Sequence, residues 1–269
     1  MAEPILHPRL SHAPWQSPQT ARLPGTTPVA SDEWLTVDDA HAAQMAERER
    51  LIAERPSDVV AGVPGSEEAQ AEVLDTVLDA LAARTDYAAE GAALRRPDGR
   101  HVVIDRAAPL ATLGRLVQED LCLLDKPEGA DEHVLTAAVL CFPAMWMLAE
   151  KIGRPLVAIH RPVPDYDAGL AARVQRLFDG LRPVEVGGRI LMRMNALDHP
   201  SPTLFQTRRE VEPRQQGHGA GGFLRIERQC LRKLPRTGAV VFSIHTTVLD
   251  RSALSPEETA AFAAHSGRT

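Results

Sequence analysis

Residues 223–249, FLRIERQCLRKLPRTGAVVFSIHTTVL, read as two strands, 223–231 and 239–249. Both runs are rich in β-branched and large apolar side chains, and polar residues alternate with apolar ones as in a half-buried strand. A third strand is expected just upstream at 189–195, RILMRMN. Shorter candidates precede it: 101–105 after the Pro97-Asp98-Gly99 turn, and the apolar runs 117–124 and 133–142. These strands cluster without the regular helix alternation of a parallel doubly wound sheet. The expectation is an α+β fold, an antiparallel sheet with flanking helices.

The helices are fewer, and two of the five expected lie before the first strand candidate. One is expected from about residue 36, capped by Thr36 and Asp39, to residue 55, where Pro56 stops it. Another, over 68–84, carries Val73, Val77, Leu78 and Leu81 on one stripe. A short helix over 144–151 closes at Gly153, and Met145, Trp146, Met147 and Leu148 read as its core residues. Leu170, Val174, Leu177, Phe178 and Leu181 mark a further amphipathic helix. Ser255-Pro256-Glu257-Glu258 is a capping box with proline at the first helical position. Residues 1–30 carry six prolines and no apolar period, and read as a loosely ordered arm that wraps the domain. The organisation expected is this arm, a single domain over 31–250 with helices at its N-terminal end, and a C-terminal helix and tail over 251–269. The glycine-rich segment 207–222 is expected to be a mobile loop gating a pocket.

Composition narrows the function classes. The 269 residues suffice for a sizeable core, and 44% hydrophobic with 25% charged residues is the balance of a globular protein. Thirty basic against 36 acidic side chains give a net charge of −6, which argues against nucleic acid as the main partner. No apolar run approaches the roughly 18 residues of a membrane span and no secretory leader is read, and the odd, widely spaced cysteines suggest a reducing cytoplasm. Cys122, Cys141 and Cys230 are too widely spaced for a disulfide framework or a metal knuckle. Only Lys126, Lys151 and Lys233 are lysines; the other basic residues are arginines, as an anionic site requiring planar guanidinium groups would use. Walker, GxSxG, HExxH and CxxC patterns are absent.

The local candidate for chemistry is Ile159-His160-Arg161-Pro162-Val163-Pro164. A metal or haem ligand needs a neutral imidazole aimed from a stiff backbone, and a strand end locked by two prolines provides one. The plain alternative is a histidine satisfied by a backbone carbonyl. In the strand beginning at Phe223, Arg225, Glu227 and Gln229 share one face and Arg228 lies on the other. A guanidinium among apolar neighbours needs an anion, either an internal carboxylate or a ligand such as a haem propionate. Gln118, Glu119 and Asp120 interrupt an apolar run, so one of them is a candidate for a buried polar site, against a wetted Glu119. Arg193 and Asn195 share a face of their strand. His245 competes with His160 as a ligand but lacks the proline lock. His7, His12, His41 and His265 are expected on the surface, and His199 and His218 in loops.

Three segments together resemble the haem-dependent oxidative N-demethylase alpha-subunit-like family: LVQEDLCLL at 116–124, LCFPAMWMLAEKIGRPLVAIHRPVPDY at 140–166, and LRIERQCLRKLPRTGAVVFSIHT at 224–246. The resemblance implies a PAS-like fold holding haem b and working with a flavin-containing reductase subunit. The activity it implies is a monooxygenase reaction with O2 that removes a methyl group from a small secondary amine and releases formaldehyde. His160 matches the family's histidine before the PVP string and is carried over as the axial ligand. Arg225, Arg228 and Arg193 are then candidates for cofactor contacts, and Glu227, Glu119 and Asn195 for the substrate side. The chain departs from the family pattern at Ala196, where tryptophan is usual and its loss would reshape a pocket wall, and at His245 and Thr247, in place of arginine and tyrosine. The alternative from another class is a non-catalytic haem sensor or ligand-binding module.

Overall fold

The structure, a computed structural model, describes residues 3–10, 13–16, 25–163, 166–212 and 221–266. Among the described residues there are ten strands: β1 (Thr27–Val29), β2 (Val60–Gly62), β3 (Ala88–Glu90), β4 (Ala93–Arg95), β5 (His101–Val103), β6 (Asp120–Asp125), β7 (Val134–Val139), β8 (Ile190–His199), β9 (Phe223–Lys233) and β10 (Val240–Asp250). The helices are α1 (His41–Glu54), α2 (Pro56–Val59), α3 (Glu67–Ala82), α4 (Pro109–Leu116), α5 (Leu148–Lys151), α6 (Leu156–His160), α7 (Ala168–Gly180) and α8 (Pro256–Ser266).

Seven strands form one antiparallel sheet in the order β1-β8-β9-β10-β6-β7-β2, and β3-β4-β5 form a small second sheet. The fold is therefore mixed α+β, an antiparallel sheet with flanking helices, as its sequence indicates. Its spine is the β9–β10 hairpin, paired from Phe223↔Asp250 to Lys233↔Val240. The turn between them takes Gly238 at φ +75°, a conformation that costs glycine nothing. Buried Glu72 of α3 fixes this turn, accepting from the Arg236 and Thr237 amides at 2.6 and 2.8 Å and from the Thr237 hydroxyl at 2.6 Å.

Alternation along the strands gives the sheet two differently covered faces. Cys230, Val241, Leu121, Leu123, Ala137 and Val139 face the larger core, with Trp34 and residues of α1, α3 and α4. Leu231, Cys122, Leu124 and Ala138 face a second apolar cluster that includes Leu148 of α5, Leu156 of α6 and Phe178 of α7. Beyond that cluster the same face turns polar, and this is where the site lies.

Several local expectations are corrected. Helix α1 starts at His41, later than expected, and neither Thr36 nor Asp39 caps it: its N-cap position is Ala40, whose amide donates to the Asp38 carboxylate at 3.0 Å. Pro56 does stop α1, but it also opens α2 from its first position, where its missing N–H costs nothing. Residues 144–147 are not helical, and Met145 has φ 61°. Residues 156–160 are a helix and not a strand end. At the C-terminus the expected box is present: Ser255 and Glu258 exchange side-chain-to-amide bonds at 2.8 and 3.1 Å.

The N-terminal residues that are described are tied to the domain. The His7 amide donates to Val248 O at 2.7 Å, Trp15 is buried edge-on to Phe262, and β1 pairs with β8. His7 and His41 are buried, not surface residues. His12 and His218, the side chain of His265 and half of the expected gating loop (213–220) lie outside the described residues. No helix among the described residues is long and apolar enough to cross a membrane.

Candidate functional site

Helix α6 positions His160. The run LVAIH looks extended by composition, since short apolar segments with β-branched residues suit either state. Two contacts decide for the helix: Leu156 N–H bonds His133 O at 3.0 Å, and the Glu132 carboxylate accepts from the Val157 amide at 2.9 Å. Pro162, which has no N–H to continue the ladder, ends it. The His160 Nδ1 lies 2.8 Å from Leu156 O. A carbonyl can only accept, so Nδ1 carries the proton and Nε2 has the lone pair. Nε2 has no hydrogen-bond partner among the described residues. The ring stacks on Tyr166 with centroids 4.2 Å apart and planes at 14°. Burial pushes the imidazole's pKa down, the Leu156 carbonyl opposes this, and the nearby Lys151 and Arg193 charges add to it. The result is a neutral imidazole, anchored through one nitrogen and open at the other, the arrangement of a metal-binding histidine.

The polar strip on the same face of the sheet comes from β8 and β9. Arg193 pairs in register with Gln229, and Asn195 with Glu227. Glu227 accepts from Gln229 Nε2 at 3.0 Å, Arg225 Nε at 3.3 Å and Asn195 Nδ2 at 3.4 Å. Arg225 is fully buried and spent on protein acceptors: the carbonyls of Leu204 (3.1 Å) and Phe142, the Thr246 hydroxyl and Glu227. Arg193 differs. It makes no hydrogen bond or ion pair among the described residues, and its buried Nε is without a partner. Burial pulls its guanidinium below the usual value, with Glu227 opposing. Asn195 Oδ1 is likewise buried and unpartnered.

His199, expected in a loop, ends β8 on the face of Arg193 and Asn195, buried and with Nδ1 unpartnered. The alternation Arg193, Asn195, Leu197, His199 could have revealed it, had the strand been extended four residues. Ala196 points the other way, into a cluster with Trp15, Met194 and Phe262. The departure from tryptophan there does not reshape the wall beside Arg193.

Arg228 and Glu119 are not brought to this strip; they lie across the sheet from it. Arg228 donates to the carbonyls of Trp34 (3.1 Å) and Glu33 (2.6 Å). Glu119 accepts from the Thr36 amide at 2.7 Å. Both fasten segment 33–36 to the sheet. His245 is on that side too, with Nε2 2.8 Å from Asp38 and Nδ1 3.4 Å from Glu119. Burial works against its charge, but the two carboxylates prevail and its pKa is pushed up to about 9. A protonated imidazole offers no lone pair to a metal, so His245 does not compete with His160. An open cleft of about 680 Å³ on another side, lined by Asp75, Asp79, Arg84 and Arg232 among others, contains none of the strip residues.

The sequence profile of the haem-dependent oxidative N-demethylase, alpha subunit-like family matches residues 25–266, nearly the whole chain.

Proposed function

The chain belongs to the haem-dependent oxidative N-demethylase, alpha subunit-like family, and from that premise we propose that it holds haem b through His160 Nε2 and oxidises a small methylated amine. The observation that carries this reading is a pair of orphans on one face of the sheet, the open Nε2 of His160 and the unpartnered guanidinium of Arg193. These residues fit the group. A haem asks its protein for a neutral imidazole with its second nitrogen anchored, and for a cation to meet a propionate. His160 and Arg193 offer those two features. The five long strands, taken in chain order as first to fifth, lie in the order third, fourth, fifth, first, second, which supports a PAS-like sheet.

Bound haem would supply dioxygen activation and oxidation of an N-methyl group, lost as formaldehyde, with electrons from a flavin-containing reductase subunit. The chain's own residues do the rest. His160 would hold the group, and Arg193 would meet a propionate. Glu227 attracts the substrate's ammonium, and Asn195 Oδ1 accepts a hydrogen from it. Arg225 and Gln229 hold Glu227 in place, so Arg225 acts on the site through Glu227 and not through the cofactor. Trp146, packed on the apolar cluster with Ile159, helps to exclude water. Arg228 and Glu119 take no part.

The test is one set of spectra and one assay. Hemin titrated into the full chain is expected to give a Soret band at one equivalent, and His160→Ala to shift that band and weaken binding. With dimethylamine, dioxygen and a flavoprotein reductase, formaldehyde is expected. An unchanged Soret band in His160→Ala sinks the ligand assignment. Stoichiometric haem without formaldehyde, across small methylated amines, sinks the reaction and favours a sensor.

A further inference from the structure

We propose that Lys151 is a positioning residue for His160; this rests on the reading above that His160 would hold haem. Lys151 is the last residue of α5, and its side chain is 5% exposed. Its ammonium donates to the Ile159 carbonyl at 2.7 Å, one residue before His160, and pairs with the Glu210 carboxylate. Glu210 is itself held twice. Its amide donates to Glu150 Oε2 at 3.0 Å, and Arg154 Nη1 reaches its second oxygen at 3.1 Å.

The Ile159 carbonyl needs this partner. Helix α6 has five residues, and the last four carbonyls of any helix have no amide within it. In a continued helix Ile159 O would take the Val163 amide, but that amide goes to His160 O at 2.8 Å. Lys151 supplies the missing donor and fixes the peptide that leads into His160. The His160 Nδ1 bond to Leu156 O spans the same turn, so the direction of Nε2 depends on that turn not fraying. A volume-filling role does not require a charge here, since Leu148, Ile152 and Leu156 pack the surroundings with hydrocarbon.

The same contacts join the histidine to the sheet. Glu210 belongs to the segment whose Leu204 carbonyl receives Arg225, the residue that holds Glu227. Helix α6 and the polar strip are thus fastened to one stretch of chain, residues 204–210. Lys151 is the fastening on the helix side.

Three variants of the full chain test this: Lys151→Met, which fills the volume, Glu210→Gln, which loosens the ammonium's hold, and His160→Ala as the reference. Without hemin, the Ile159 and Val163 amides of Lys151→Met are expected to exchange about tenfold faster than in the parent. With hemin, its affinity is expected to fall about tenfold, the range seen when a ligand's outer support is removed. Its ferric electron paramagnetic resonance spectrum is expected to show more than one species where the parent shows one. Glu210→Gln is expected to move all three readouts the same way by a smaller factor, and it carries the test if Lys151→Met does not fold. Parent-like exchange and a single parent-like ferric species in these variants overturn the proposal. If that happens while His160→Ala alters the hemin spectrum, the haem reading stands and only the role of Lys151 falls. If His160→Ala leaves the spectrum unchanged, both fall together.

Discussion

Asp38 Oδ2 lies 2.8 Å from His245 Nε2 and 2.7 Å from His7 Nε2, so one carboxylate clasps two imidazoles from opposite ends of the chain. Desolvation opposes its ionisation, but the bonds from His245 and His7 hold Asp38 far below the usual carboxylate range. The clasp fastens the N-terminal arm, the segment before α1 and strand β10 at one point.

This arrangement sets a pH window. The folded pKa of His245 is raised to about 9 from 6.5, so its contribution is complete below pH 6.5 and is lost as pH rises through 9. Asp38 is depressed, so its contribution holds above its unfolded value of 3.8 and is lost only on acidification. Urea unfolding is expected to show a loss of about 3 kcal/mol between pH 6.5 and 9.5 that His245→Asn lacks. Parallel pH profiles for the two proteins would contradict the assignment.

Arg193 leads to an opposite pair of effects. Arg193 is half-buried with its Nε buried and unpartnered, and a guanidinium nitrogen desolvated without an acceptor is costly until an anion reaches it. Arg193→Met is expected to stabilise the hemin-free protein by about 1 kcal/mol and to weaken hemin binding about tenfold. Thermal unfolding and hemin titration of the same preparation measure both. A destabilised protein with parent-like hemin affinity would show that Arg193 serves the fold instead.

Arg48 is wholly buried against Asp120 at 2.6 Å and also donates to the carbonyls of Gly114, Gln118 and Glu119. Asp120 in turn accepts from the Cys141 and Phe142 amides at 2.7 and 2.9 Å. Arg48→Met removes one partner of a buried pair and is expected to cost about 3–5 kcal/mol. Asp120→Asn, which keeps some of these bonds, is expected to cost less. Equal losses in chemical denaturation would contradict this ordering.

Glu72 offers a smaller test of the spine. Glu72→Ala leaves the Arg236 and Thr237 amides of the β9–β10 turn without their acceptor, an expected loss of about 2–4 kcal/mol. The Thr237 amide is expected to lose exchange protection before the hairpin core does. Undiminished protection there would show that the turn stands without Glu72.

How much of this was legible in the sequence depended on the range of the deciding contact. The β9–β10 pair and the opposite facing of Arg225 and Arg228 follow from alternation, a property of neighbouring residues. The box at Ser255 is equally local. Helix α6 is not legible locally because Glu132 and His133, more than twenty residues away, cap its first amides. His7 looked like a surface residue because its partners, Asp38 and Val248, are distant in the chain. For His160 the plain and the functional alternatives turned out to be compatible: the carbonyl takes Nδ1 and leaves Nε2 for a ligand. The placement of Glu119 and Arg228 across the sheet is not legible, because sequence cannot say which side of a sheet the distant segment 33–36 covers.

Strand β9 serves two masters in turn: Arg225, Glu227 and Gln229 look towards the proposed chemistry, while Ile226, Arg228 and Cys230 look towards its foundations. Gaining or losing a single amino acid here would exchange the two sets wholesale. Inheritance can therefore retouch this ribbon only by replacement, never by lengthening. Relatives that differ in substrate should show their insertions in the connections between strands and an unvarying residue count from Phe223 to Lys233.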